Sequence, residues 1–340
     1  MHFKLFSLVL VLILAQSAFS RNSLNFNSGW DLHVGGPEEA GVPEFDNSSR
    51  QKITLPRAWN EDEAFRVDIA ELPTGTAWYR KSFFLPSREE GGRVFVEFEG
   101  VRQGAEFFIN DHSLGFHEDG ITAVGYDLTP HLKDGENTIA VRTNNAWDYR
   151  ERETRQRYQW NDRNFNANYG GITKNVKLHV TGAVYQTLPL WNGLGTTGVY
   201  IHASGFDLSA GRATVHAESQ VKNESSKSQS VSYAVVVSEL DGREIAKFNA
   251  GEAVVINPGE TKTVFATAPV SGLQWWSWGH GYLYNVTTTL LLDGKAVDVV
   301  NTRTGFRKTT FTDGMVALNG RVLQLKGYAQ RTTNEWPAVG

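Results

Sequence analysis

Apolar residues recur at every second position through most of the chain. Within residues 94–99, Val94, Val96 and Phe98 share one face; Ala105, Phe107 and Ile109 do so within residues 105–110, and Val176, Leu178 and Val180 repeat the pattern. Successive side chains of a strand point to opposite sides, so this period predicts strands that each lay one face on a core. No useful stretch keeps the helical period of about 3.6 residues. Between the apolar runs sit Asp119-Gly120, Asp134-Gly135, Asp241-Gly242, Asp293-Gly294 and Asn319-Gly320. Such dipeptides suit tight reversals, and many short strands joined this way predict β-sandwiches.

The pattern breaks across residues 181–197, where Leu188-Pro189-Leu190 and Gly182, Gly193 and Gly195 interrupt it, followed by Gly198. Beyond the break, residues 213–221, 231–237, 264–268 and 284–292 alternate again, a second series whose length suits an immunoglobulin-like sandwich. Two sandwich domains are therefore expected, over residues 21–183 and 184–308. Residues 309–340 are too few for a domain, and residues 322–326 read as one strand that begins something further.

The first twenty residues stand outside this scheme. Lys4 supplies a positive start, residues 5–14 form an apolar run, and Ala18-Phe19-Ser20 provides small residues for a signal peptidase. The run falls well short of the ~20 residues that a membrane-spanning helix needs. A secretory signal cut after Ser20 is expected, which places the mature chain in the periplasm or the medium. Cys is absent, so neither disulfides nor a lipidated cysteine can contribute and the fold must rest on its core.

At 340 residues the chain suits two or three domains. Its formal charge of −4 is spread without long runs of either sign, which offers no electrostatic footprint for nucleic acid or an anionic membrane. The nine His show no metal-ligand spacing, and there is neither a phosphate-binding glycine loop nor a Ser-His-Asp phrase in a plausible setting, so no cofactor or metal is expected. Aromatic residues reach 12%, with ten Trp, more than a core usually needs.

Several phrases in order resemble glycoside hydrolase family 2, the family of β-galactosidases, β-glucuronidases and β-mannosidases. Trp78-Tyr79-Arg80-Lys81 is similar to an early strand of that family; Phe98-Glu99-Gly100-Val101, Ile109-Asn110-Asp111 and Leu114-Gly115 are similar to its sugar-binding domain. Asp127-Leu128-Thr129, Gly135-Glu136-Asn137 and Tyr169-Gly170-Gly171-Ile172 continue the order, and Tyr282-Leu283-Tyr284 and Gly305-Phe306-Arg307 extend it. Leu318-Asn319-Gly320, running on to Leu325-Lys326-Gly327, resembles the start of the family's catalytic barrel. The resemblance implies an all-β chain: a jelly-roll, galactose-binding-like sandwich, then an immunoglobulin-like sandwich, then the first strand of a truncated (β/α)8 barrel.

Retaining glycosidases need two carboxyl groups about 5 Å apart. The resemblance puts both on later barrel strands, so no catalytic residue is expected within this chain. Glu335 follows the first barrel strand and not the fourth, and reads as a substrate-pocket residue. Gly327 is followed by Tyr328-Ala329-Gln330-Arg331, where the family pattern has Val-Asn-Arg-His. This departure counts against simple lactose-type specificity, and residues 327–337 are more similar to the branch acting on algal galactans. Gln330, Arg331, Glu335 and Trp336 are accordingly expected to contact substrate, as are Asp162, Asn166 and Asn168 through sugar hydroxyls.

Residues 147–163 carry Arg150, Arg152, Arg155, Arg157 and Arg163 among Trp147, Tyr149, Tyr158 and Trp160. Guanidinium forks suit sulfate or carboxylate groups, and Trp160 could stack on a sugar face. Equally, Asp148, Glu151, Glu153 and Asp162 nearly balance the Arg, as in a solvated salt-bridged loop. Trp275-Trp276-Ser277-Trp278 reads as packing ahead of a sugar platform. The expected function is the N-terminal part of an exported retaining glycosidase of β-galactosidase type, with an oligo- or polysaccharide such as a galactan as partner. The alternative is a non-catalytic secreted carbohydrate-binding protein; the barrel-like residues 318–340 favour the former. Edman sequencing of the exported protein should begin at Arg21, and recovery of Met1 would contradict the signal assignment.

Overall fold

The computed structural model describes residues 21–36, 51–64, 66–85, 87–157 and 167–328. Among these the regular elements are strands and short 3-10 turns, with no α-helix. The first sandwich opposes a six-stranded and a four-stranded sheet, all of their pairs antiparallel. The larger sheet runs Gln51–Ile53, Trp30–Val34, Thr76–Phe84, Glu136–Asn144, Gly104–Ile109, His112–Glu118; the smaller runs Asn22–Asn25, Val176–Val180, Val94–Phe98, Val124–Asp127. Neighbours far apart in sequence, such as Thr76–Phe84 against Glu136–Asn144, give the wound topology of a jelly roll.

The alternation read from the sequence supplies the core between these sheets. Val94, Val96 and Phe98 meet Ala105, Phe107 and Ile109, with Val176, Leu178 and Val180 beside them. Trp30 is fully buried at the centre, its indole Nε1 donating to the Phe26 carbonyl at 2.8 Å. Its ring meets Phe26 and Phe98 edge-on, at centroid distances of 6.0 and 6.4 Å, the geometry that the aromatic quadrupole favours. A short sheet of Arg57–Ala58, Gly171–Ile172 and Val101–Arg102 accompanies the two larger ones. There Gly171 has φ +109, and a Cβ would stand 1.9 Å from the Tyr79 hydroxyl, so glycine is the residue that fits.

The second series of alternating segments forms the second sandwich. Val184–Gln186, Arg212–Asn223, Val199–Asp207 and Thr261–Val270 make one sheet; Glu244–Asn249, Gln229–Glu239, Tyr284–Leu292, Lys295–Thr304 and Val254–Ile256 make the other. Val215, Ala217, Tyr233, Val235, Val286 and Leu290 fill the space between them. Between the two sandwiches the chain is packed and not loose. Leu188 and Tyr185 cover Phe95 on the outer side of the first sandwich, and Asn192 is fully buried.

Past the second sandwich the expected single strand over residues 322–326 is replaced by a meander. Thr309–Thr312, Met315–Leu318 and Arg321–Leu323 pair antiparallel, and among the described residues no strand follows Leu323. At the turn Asn319 and Gly320 both hold positive φ, 49° and 77°, which folds Arg321–Leu323 tightly back on Met315–Leu318. Val322, Leu325 and Tyr328 are left exposed.

Trp30→Ala removes the largest side chain of the first core together with a buried hydrogen bond. It should cost about 3–5 kcal/mol, read as a lower urea midpoint of the chain.

Candidate functional site

Glu106, Arg142 and Phe116 stand on three neighbouring strands of the six-stranded sheet, at positions that alternation turns away from the core. Their register is direct: Arg142 lies opposite Glu106, which lies opposite Phe116, while Asn144 faces Gly104. The chain after Asn144 folds back over these positions. Together they enclose a cleft of about 310 Å³ lined by Glu106, Phe116, Arg142, Tyr149, Arg150 and Arg152, with Gly104 and Asp148. Gly104 is the floor, where a Cβ would come within 2.1 Å of the Tyr149 hydroxyl.

Charge pairing holds the returning loop. Arg142 Nη1 donates to Glu106 Oε2 at 3.0 Å, and Arg152 donates to the other Glu106 oxygen while its guanidinium lies 3.6 Å from the Phe116 ring centre. The Tyr149 hydroxyl donates to Glu118, which also accepts the Arg152 backbone N–H at 3.0 Å. Further out, Glu151 N–H donates to the Gln156 carbonyl at 2.9 Å and Arg150 Nη1 to the Arg155 carbonyl at 3.1 Å, closing the turn. Burial pushes the Glu106 carboxyl up, but hydrogen bonds from Arg152 and Arg142 outweigh it and hold the group below its ordinary range.

Of the two readings of the Arg-rich segment, the part described to Arg157 is a salt-bridged loop that also walls a cleft. Arg142, Arg150 and Arg152 face Glu106 and Asp148, so the lining is nearly balanced in charge. It offers donors, acceptors and aromatic edges together, a chemistry suited to a polyhydroxylated ligand. Among the described residues no set of His, Cys, Asp and Glu is grouped so as to hold a metal ion.

Asn168 is placed elsewhere. It is fully buried, and its Nδ2 donates to the Asn145 carbonyl at 2.6 Å. Its own carbonyl accepts from Asn145 Nδ2 at 2.7 Å and Asn60 Nδ2 at 3.0 Å. An enclosed amide of this kind pins the loop before Gly170 and Gly171 and presents nothing to a sugar. Asp162, Asn166, Gln330, Arg331, Glu335 and Trp336 lie outside the described residues, as do Tyr158, Trp160 and Arg163. In the Trp-rich turn, Trp275 packs against Phe206 at 5.3 Å and donates to the Leu208 carbonyl at 3.0 Å, and Trp276 lies under Arg307 at 4.9 Å. Trp278 faces solvent at 68% exposure, so packing accounts for two of the three. Glu106, Phe116, Glu118 and Arg142 escaped the sequence reading. Their one signal was a charged or aromatic residue at an outward position of a core strand.

Fold and cleft together define the class: a pair of β-sandwiches, the first bearing a polar, aromatic-edged cleft. The family description "Glycosyl hydrolases family 2, sugar binding domain" matches residues 17–182, and "Glycosyl hydrolases family 2" matches residues 199–307. The chain belongs to glycosyl hydrolase family 2. It is 32% identical to a beta-glucuronidase of Formosa agariphila, over 94% of this chain and 33% of that protein. It is 29% identical to beta-galactosidase BoGH2A of Bacteroides ovatus, over 90% of this chain and 34% of that protein. A solved beta-glucuronidase from glycoside hydrolase family 2 superposes with TM-score 0.82 at 31% identity, over 92% of this chain and 33% of that one. The chain thus spans about a third of the length of the relatives it matches.

The depressed Glu106 carboxyl sets a pH dependence. A carboxyl whose folded value lies below its unfolded one stabilises above the unfolded value, about 4.3 for Glu, and loses that contribution as pH falls through the folded value. The Arg152 guanidinium resonances should therefore broaden as acidification carries Glu106 through its folded value, which lies below the ordinary one. Glu106→Gln should loosen the loop already at neutral pH, seen as several-fold faster tryptic cleavage after Arg152. Wild-type guanidinium resonances unchanged down to the acid limit of folding, or unaltered cleavage of the variant, would contradict the role given to Glu106.

Proposed function

We propose that this chain is the N-terminal part of an exported retaining glycoside hydrolase acting on β-galactoside or β-glucuronide linkages of a polysaccharide. The observation that carries the reading is the match to family 2 along both sandwiches, over about a third of relatives named for these two activities. Hydrolysis in such an enzyme needs a protonated carboxyl to assist the leaving oxygen and an ionised one, about 5 Å away, to attack the anomeric carbon. Neither is assigned within this chain.

On this reading the two sandwiches shape the approach to a catalytic domain. Asp162 and Asn166 offer hydrogen bonds to sugar hydroxyls. Gln330, Arg331, Glu335 and Trp336 line the substrate pocket. Arg331 stands where the family pattern has His, and a guanidinium fork there favours an acidic or sulfated galactan, or a uronide, over a neutral galactoside. The likeness to a beta-glucuronidase at 32% identity supports a negatively charged sugar.

In the complete protein, Arg331→Ala should lower kcat/KM on an acidic or sulfated substrate roughly tenfold to a hundredfold, the loss of a charge-assisted contact. A neutral aryl galactoside should be much less affected, and equal losses on both would remove the charge-recognition idea. This chain alone should release no nitrophenol from β-galactoside, β-glucuronide or β-mannoside substrates. Turnover abolished by Glu335→Gln would instead locate a catalytic carboxylate inside it.

A further inference from the structure

Two arginines cross from the first sandwich to carboxylates of the second. Arg93, just before the Val94–Phe98 strand, reaches Glu224 at 2.9 Å and Asp127 at 3.5 Å. Arg21, just before the Asn22–Asn25 strand, donates from Nε to Asp298 Oδ1 at 2.9 Å and from Nη2 to Asp298 Oδ2 at 3.2 Å and to the Gln186 carbonyl. The two sites differ in burial. The side chains of Arg93 and Glu224 are 26% and 21% exposed, whereas Arg21 is 11% exposed and Asp298 not at all.

Asp298 is the centre of a network that reaches into the second core. Its Oδ2 accepts the Gln186 backbone N–H at 2.8 Å and Gln186 Nε2 at 3.3 Å. Gln186 Oε1 in turn accepts from Ser219 at 2.8 Å and Thr288 at 2.7 Å, and Ser219 is 2.6 Å from the Tyr233 hydroxyl. These groups belong to both sheets of the second sandwich. Apart from Arg21 they are neutral donors, and neutral donors compensate a fully buried carboxylate poorly. The cation comes from the other sandwich, carried by the residue that signal removal would leave first.

We propose that Arg21 is an interdomain latch: its guanidinium neutralises buried Asp298 and locks the second sandwich onto the first. Any trimming that removes Arg21 would release it. In the latched chain the Gln186 amide is held closed by a compensated carboxylate. In a chain beginning at Asn22 the same carboxylate is buried without its cation, so the network opens.

The test compares the chain beginning at Arg21 with one beginning at Asn22, and with Arg21→Met, Asp298→Asn and the double variant. Hydrogen exchange at the Gln186 amide and the number of calorimetric transitions are read. Loss of Arg21 should speed that exchange roughly a hundredfold or more, as expected for a buried charge left unpaired, and split one melting transition into two. Adding Asp298→Asn to Arg21→Met should restore most of the protection, because the unpaired charge is gone while an amide oxygen still accepts from Gln186. Unchanged exchange in Arg21→Met, absence of rescue in the double variant, or exported protein beginning at Asn22 or later would each overturn the latch. None of these readouts uses a substrate, so their failure is separate from failure of the glycosidase reading.

Discussion

The Val94–Phe98 strand is buried on both faces, and the rest of the chain is arranged around that demand. Val94, Val96 and Phe98 point into the first core, while Phe95 and Glu97 point outward beneath residues 185–194. Covering Phe95 with Tyr185 and Leu188 brings the connecting segment onto the first sandwich, and the next strand of that segment, Val184–Gln186, already belongs to the second. Glu97 can stay under this cover because it is compensated. His179 Nε2 lies 2.7 Å from it and Trp191 donates at 3.3 Å. Burial alone would push the Glu97 carboxyl up, yet the His179 hydrogen bond and the charges of His179 and Lys177 hold it below the ordinary range.

From that junction the two sandwiches are linked by charge as well as by packing. Arg93 and Arg21 each leave the first sandwich for a carboxylate of the second, and the Glu89 carboxylate accepts the Ala183 N–H at 2.6 Å between them. Paired buried charges add modestly to stability but are costly to break, so they oppose alternative arrangements more than they deepen the native one. The cleft over Gly104 uses the same principle at the surface. Glu106 answers Arg142 within the sheet and Arg152 from the loop, so one carboxylate ties the loop to the sheet.

Much of this architecture was legible beforehand. The alternation of residues 94–98, 105–109 and 176–180 became the first core, and the later alternating segments became the second sandwich. Of the named turn dipeptides, Asp293-Gly294 and Asn319-Gly320 take positive φ at both residues, with Asp293 and Asn319 both at φ 49°. The same turn chemistry pairs the start of the apolar run 322–326 with Met315–Leu318, because a partner across a tight turn costs little loop-closure entropy. Asn168 misled for a different reason. An Asn near a glycine turn reads alike whether it faces solvent or closes an amide cluster, and the partners Asn60 and Asn145 are remote in sequence.

The sequence by itself determined the all-β class, the turn positions, the two strand series and the family. It could do so because a strand's period, a turn's backbone angles and an ordered set of short phrases are local properties of the chain. Only the tertiary structure decided that Glu106 serves two arginines, that Asn168 is enclosed, and that Arg21 meets Asp298 across the chain. Alternation states which side of a strand a residue occupies, but register and sheet stacking decide what stands opposite, and these are set by many weak contacts acting together.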